Sequence, residues 1–304
     1  MAFKVGRRRW RRGLSDSWLA LVLIVPAAIL ILALDFYPVL YAALESFFRV
    51  DQLTGEQTWL GLDNYVVALK NPDVIGSVSN SIVYVVANTT LEIVLGTAIA
   101  LLLNQPLRGR TLARGLVLFP FLIPAVVVSM TFQFIFNPIY GLFDYLLQLI
   151  IPHASPDMLG STSTALWAVI LVHSWKFIPF TVIVVLGRLQ TIPPDVYEAA
   201  MVDGARRWQR FTHVTLPWLM PILLITMLLR TIWNATDYDL PYLLTGGGPL
   251  SASKVVPIEI RSLAFDQNNI GGASALAMAL ALVLIVISAL YLRVYTRSAA
   301  NIES

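Results

Sequence analysis

Four ionisable side chains, Glu92, Lys176, Arg230 and Asp237, fall inside stretches that are otherwise apolar. Polar partners recur around them at helical spacing. Asn80, Tyr84, Asn88 and Glu92 come every four residues, His173, Lys176 and Phe180 three and four apart, and Arg230, Trp233, Asn234 and Asp237 likewise. Each set shares one helix face, and together the three stripes can line one wet surface. The four charges sum to zero. With the amides of Asn88, Gln133 and Asn234 and the rings of Tyr84, Trp175, Trp233 and Tyr238, such a lining suits a neutral, hydroxyl-rich solute better than an anion or a metal ion. The same residues can equally glue helices together, with Glu92–Lys176 or Arg230–Asp237 as structural ion pairs. Glu92 and Arg230 fit that structural role better, and Trp233 and Asn234 fit solute contact better.

Covalent chemistry finds no support. Cysteine is absent, which removes thiol nucleophiles, thiolate metal sites and disulfides. His153, His173 and His213 stand 20 and 40 positions apart, a spacing that matches no metal-ligand pattern. The chain contains no G-x-x-x-x-G-K-[ST], H-E-x-x-H or G-x-S-x-G. Active transport would therefore draw its energy from an ion gradient or from a partner.

The elements that must position these residues are membrane helices. Of 304 residues 57% are apolar and only 13% charged, about half the charge of an average soluble domain, and the mean hydropathy is +0.73. Crossing roughly 30 Å of hydrocarbon takes about 20 apolar residues. Six stretches qualify: 18–44, 77–103, 115–136, 164–187, 216–238 and 273–292. The expectation is an all-α, polytopic membrane protein of six helices. A basic tail (1–17) precedes a membrane domain (18–295), and a short tail (296–304) follows. The first span reads as a retained anchor, since no small-residue cleavage pattern follows it. Pro120, Pro124 and Pro179 should kink spans three and four. Residues 139–151 are too short to cross and read as an interfacial helix on the outer face.

Orientation follows from Lys and Arg. Six precede the first span (Lys4, Arg7, Arg8, Arg9, Arg11, Arg12), and Arg108, Arg110, Arg114, Arg188, Arg206, Arg207, Arg210, Arg293 and Arg297 fall on the same side. Only Arg49, Lys70, Lys254 and Arg261 fall opposite. This imbalance places both termini in the cytoplasm. It also explains the basic pI through topology and anionic lipid, without nucleic acid.

The longest cytoplasmic connection is then 188–217. Pro193, Pro194 and Asp195 favour a helix start, and Gly204 can supply the left-handed residue that stops it. A second short helix should run from Ala205 until Pro217 sets the next boundary, with Trp208 and Phe211 on one face. The result is a helix–Gly–helix elbow. Glu198-Ala199-Ala200, Asp203-Gly204-Ala205, Phe211 and Leu216-Pro217 resemble, in identity and spacing, the EAA loop of ATP-binding-cassette importer permeases. Leu244-Thr245-Gly246-Gly247-Gly248-Pro249 is similar to the carbohydrate branch of that family.

This resemblance implies a multi-pass plasma-membrane permease subunit without an ATPase site. Its loop would be a coupling helix docked in a cleft of an ATPase, with Glu198 and Asp203 facing basic groups there. It further implies a second permease subunit, two ATPase subunits that hold ATP and Mg, an external solute-binding protein, and a sugar as cargo, with a disaccharide such as trehalose or maltose the expected choice. Maltose-type members can carry extra N-terminal spans and a large external insertion; here only residues 45–76 separate the first two spans. An ion-coupled secondary carrier is the alternative, but it would predict inverted repeats with paired broken helices, which the sequence lacks. A membrane enzyme would need a nucleophile or metal constellation.

Overall fold

The computed structural model describes residues 16–50, 56–106, 108–151 and 156–303. The basic residues Lys4 to Arg12 and His153 lie outside them. The long apolar stretches are helical. The first helix, α1 (Asp16–Ile31), passes through a π turn at Leu32–Phe36 into α2 (Tyr37–Glu45). A two-stranded antiparallel hairpin follows, β1 (Phe48–Val50) against β2 (Gln57–Trp59), with Phe48 opposite Trp59. Next come α3 (Asp63–Lys70) and α4 (Pro72–Leu103). Pro72 opens α4 where a missing N–H costs nothing, and the Asn71 side chain caps it by accepting from Asp73 N at 2.9 Å.

Among the described residues, five helical runs are long and apolar enough to cross a membrane: Ala20–Glu45, Pro72–Leu103, Ala165–Leu189, Arg207–Thr236 and Ile270–Thr296. The expected third span is not straight. It consists of α5 (Arg110–Leu122) and α6 (Ala125–Ile135), bent by 95°. Pro124 cannot donate to the Pro120 carbonyl, and proline drives the preceding Ile123 to extended backbone (φ −75°, ψ 130°). Pro120 removes a bond one turn earlier, so two successive turns are weakened. Single prolines at Pro179 and Pro221 leave their helices continuous.

The chain continues with α7 (Leu142–Ile150), inside the expected interfacial segment, and α8 (Ala165–Leu189). The apolar face of α7, carrying Leu142, Tyr145, Leu146 and Leu149, is its exposed face, while Asp144 is turned inward and accepts from Gln148 Nε2 at 2.7 Å. That inversion suits a lipid surface rather than water. Then follow α9 (Pro194–Val202), α10 (Arg207–Arg210), α11 (Leu216–Thr236), α12 (Asp239–Thr245), α13 (Val256–Arg261) and α14 (Ile270–Glu303).

The helices α4 and α8 form the central pair, α11 leans on both, and α14 packs against α11, α2 and α3. At the α4–α8 crossing a Cβ on Gly96 would lie 2.6 Å from Thr181 Cβ. Small residues permit this approach where no hydrophobic effect drives helices together. Any side chain at position 96 meets this clash, so Gly96→Ala should already lower the thermal midpoint of the detergent-solubilised protein, and Gly96→Leu should lower it further, at an overpacking cost of roughly 1–3 kcal/mol. Two apolar clusters lie along the pair, one around Tyr84, Val169 and Leu240, the other around Ile93, Val182 and Leu219. Between them sits a layer of buried polar residues.

Candidate functional site

That layer gathers residues from all three stripes. Each is placed by simple helix periodicity: Tyr84, Asn88 and Glu92 on α4, His173 on α8, Arg230 and Asn234 on α11, with Asp237 just beyond its end. Arg230 meets Glu92 with two parallel bonds, Nε to Oε2 at 2.6 Å and Nη2 to Oε1 at 2.7 Å. Such a fork is the strongest geometry available to an ion pair. Arg230 Nη2 also donates to Asn234 Oδ1 at 2.8 Å, and Asn234 Nδ2 reaches Thr89 Oγ1 at 3.1 Å and Glu92 Oε2 at 3.3 Å.

The imidazole of His173 bridges two carboxylates. Nδ1 lies 3.2 Å from Glu92 Oε1, and Nε2 lies 3.2 Å from Asp237 Oδ2. Asp237 Oδ2 also accepts from the Tyr84 hydroxyl at 2.8 Å. Asn88 Oδ1 receives Ser174 Oγ at 2.8 Å and faces His173 Nδ1 at 3.2 Å. The Phe177 ring lies 4.5 Å from the His173 ring and 4.6 Å from the Arg230 guanidinium. Glu92 and Arg230 are 0% and 1% exposed. Asn88, His173 and Asn234 are buried as well. In this layer the polar groups spend their hydrogen bonds on one another and fasten α4, α8 and α11 together.

The two ion pairs expected from the sequence do not form. Glu92 takes Arg230 instead of Lys176, and Asp237 takes His173 and Tyr84 instead of Arg230. Lys176 turns the other way, to the break between α5 and α6, where its ammonium donates to the carbonyls of Ile123 and Phe121. A broken helix leaves carbonyls without partners and a partial negative charge at its end. Inside a membrane those groups must be satisfied by protein, and Lys176 does so.

The remaining candidates lie outside the layer. Gln133 on α6 donates to the Leu243 and Leu244 carbonyls at 2.8 and 3.1 Å, tying α6 to α12. Trp233, 44% exposed, packs edge-on against Phe180 with centroids 5.1 Å apart. Phe180 stands 6.3 Å from Phe121, and Trp175 stands 5.2 Å from Phe132. Phe121, Phe180 and Trp233 form an aromatic strip across α5, α8 and α11, and Trp175 with Phe132 makes a separate contact between α8 and α6. Thr89, Ser174 and Phe177 were not anticipated. Their positions, three before Glu92, one after His173 and four after His173, hold the only sequence signal that could have found them.

The elbow is built locally. Helix α9 ends in a Schellman motif: Ala205 N donates to Ala200 O at 2.9 Å, Gly204 N to Met201 O at 3.0 Å, and Gly204 is left-handed at φ +78°. The expected stop at Gly204 is thus met. The expected boundary at Pro217 is not. From Arg207 the chain runs as one helix to Thr236. A π turn at Phe211–Thr215, closed by Leu216 N to Phe211 O, precedes Pro217 and accommodates its missing N–H. The same device precedes Pro38, where Tyr37 N bonds Leu32 O.

Helix α9 is anchored to this second arm by Tyr197 Oη and Thr215 Oγ1 at 3.1 Å and by buried Ile192. Glu198, Ala199, Asp203 and Gly204 are exposed, and Ala200 and Ala205 are partly covered. Val202 at 88% and Trp208 at 72% exposure form an apolar tip, with the Trp208 and Phe211 rings 5.4 Å apart.

Comparison with known proteins places this architecture. Residues 92–302 match the family model described as binding-protein-dependent transport system inner membrane component. The chain is 33% identical over 283 residues to the trehalose/maltose transport system permease protein MalF of Thermococcus litoralis, covering 92% of this chain and 94% of that one. It is 31% identical over 287 residues to the trehalose transport system permease protein SugA of Mycobacterium tuberculosis, covering 94% and 91%. A crystal structure of a bacterial ABC transporter involved in the import of the acidic polysaccharide alginate shares the fold. It superposes with a TM-score of 0.82 at 23% identity, over 92% of this chain and 96% of that chain. With its membrane-length helices, elbow and buried polar layer, this chain belongs to the binding-protein-dependent transport system inner membrane component family, as a multi-pass permease subunit of the plasma membrane and not an enzyme.

Proposed function

We propose that the chain is one of two permease subunits of an ATP-driven sugar importer, worked by separate ATPase subunits through the elbow around Gly204. The observation that carries this reading is the single 30-residue helix Arg207–Thr236. At about 45 Å, it begins as the elbow's second arm and ends carrying Arg230 and Asn234 in the buried layer. A push on the elbow therefore moves a stiff rod whose far end holds the tie between α4, α8 and α11. The Lys and Arg asymmetry supports a cytoplasmic elbow, with both termini on that side. Exposed Val202, Met201 and Trp208, ringed by Glu198, Asp203, Arg206 and Arg207, supply an apolar centre with a charged rim, as a docking surface requires.

The aromatic strip of Phe121, Phe180 and Trp233, with Lys176, Trp175 and Gln133 on the neighbouring faces of α8 and α6, is the surface best suited to a passing sugar. The layer formed by Tyr84, Asn88, Glu92, His173, Arg230, Asn234 and Asp237 holds its shape. A disaccharide such as trehalose or maltose is the cargo suggested by the names of relatives at 31–33% identity. An external solute-binding protein is suggested by the crystal structure of bacterial alginate ABC transporter in complex with alginate pentasaccharide-bound periplasmic protein. ATP and Mg would sit on the ATPase partners.

The test is reconstitution with the second permease, the ATPases and the binding protein in proteoliposomes. Uptake of maltose or trehalose should require ATP, and the loaded binding protein should stimulate hydrolysis. Uptake that persists without ATPase subunits would overturn the reading in favour of an ion-coupled carrier.

A further inference from the structure

Beyond Asp237 the chain leaves α11, and a second aromatic surface forms at the end opposite the elbow. Tyr238 and Tyr242, one turn apart, stack with ring centroids 4.8 Å apart and planes 21° from parallel. The guanidinium of Arg261, at the end of α13, lies 5.1 Å from the Tyr242 ring centroid. Arg261 Nη1 holds both oxygens of Asp266, at 3.1 and 2.9 Å. Of these groups, Tyr238 and Arg261 line an open groove of about 580 Å3, together with Pro257, Ile260, Ala264 and Phe265. Phe265 is 75% exposed. Neither the buried layer, the aromatic strip nor the elbow uses any of these residues.

Resting on the sugar-importer reading, we propose that this groove is a separate sugar-binding subsite, in which a pyranose lays its C–H face on Tyr238 and its rim hydroxyls bond the Arg261 guanidinium that Asp266 holds in place. A pyranose is amphipathic: its C–H groups make an apolar face and its hydroxyls project around the edge. It is matched by a flat ring with fixed donors and acceptors at the perimeter. Tyr242 backs both Tyr238 and Arg261 and so sets platform and fork in advance, which lowers the ordering cost of binding. Among the described hydrogen bonds Asp266 engages only Nη1, and a guanidinium has further N–H donors. The pair is neutral overall, which favours a polyhydroxyl ligand over an anionic lipid head group.

The test measures equilibrium binding of labelled maltose and trehalose to the assembled transporter in nanodiscs without the binding protein, together with uptake by the complete system. Tyr238→Leu keeps apolar bulk but loses the flat face. It should weaken binding roughly 3- to 10-fold, the range of one aromatic contact. Arg261→Gln should act in the same direction, and Tyr238→Phe should stay near wild type. Unchanged binding in both Tyr238→Leu and Arg261→Gln, with sugar uptake intact, would overturn the subsite and leave the importer reading standing. Lowered assembly with unchanged binding would overturn it too, making the rings a subunit contact. Absence of sugar uptake by the wild-type system would sink both readings.

Discussion

Replacing Arg230 with methionine should destabilise the membrane domain by about 3–5 kcal/mol, the cost of breaking a buried ion pair from one side. Glu92 would keep its charge at 0% exposure, with only His173 and the Asn234 amide still facing it. Both bonds of the fork, and the bond from Arg230 to Asn234, would vanish together. The double variant Glu92→Gln, Arg230→Met should recover most of the loss, because an uncharged pair leaves no uncompensated ion. Thermal unfolding in detergent, with the yield of assembled complex, reads the difference. Equal midpoints for the single variant, the double variant and the wild type would show that the layer does not fasten the three helices.

The contrast between this layer and the elbow shows which parts of the molecule its sequence discloses. The stripes on α4 and α11 were legible because helical periodicity is fixed, so Glu92 and Arg230 had to lie on their helices' polar faces. Their pairing was not legible. It depends on the relative rotation and depth of three helices, which long-range packing sets. Lys176 illustrates the point: its partners are backbone carbonyls, and they are free only because α5 and α6 break at Pro124 by 95°. The prolines were visible, but the angle belongs to the tertiary structure.

Pro217 failed as a boundary for a related reason. Proline forbids one hydrogen bond, and a π turn can absorb that locally while the helix continues. The stop at Gly204 was legible because a Schellman motif is made within six consecutive residues and needs only a residue that tolerates positive φ.

The elbow accordingly offers the other large effect, on coupling instead of stability. A side chain at position 204 meets no atom within 4 Å of its Cβ, so substitution there disturbs only the backbone. At φ +78° a non-glycine residue pays about 1–2 kcal/mol, and a β-branched one is the worst placed of all. Gly204→Val should therefore abandon the left-handed turn, lose the Ala205-to-Ala200 bond, and swing α9 away from the axis of the Arg207–Thr236 rod. Residues buried in the membrane domain are untouched, so folding and assembly should persist while the push on α11 is lost. Combined with Glu198→Arg, which reverses charge on the exposed face, the variant should keep basal ATP hydrolysis in its partners and lose uptake at least about tenfold, equivalent to roughly 1.4 kcal/mol of coupling. Gly204→Asn is the discriminating control, because asparagine enters the left-handed region readily and should preserve most transport. If Gly204→Val with Glu198→Arg imports sugar at the wild-type rate per ATP consumed, force does not enter the membrane domain through this turn.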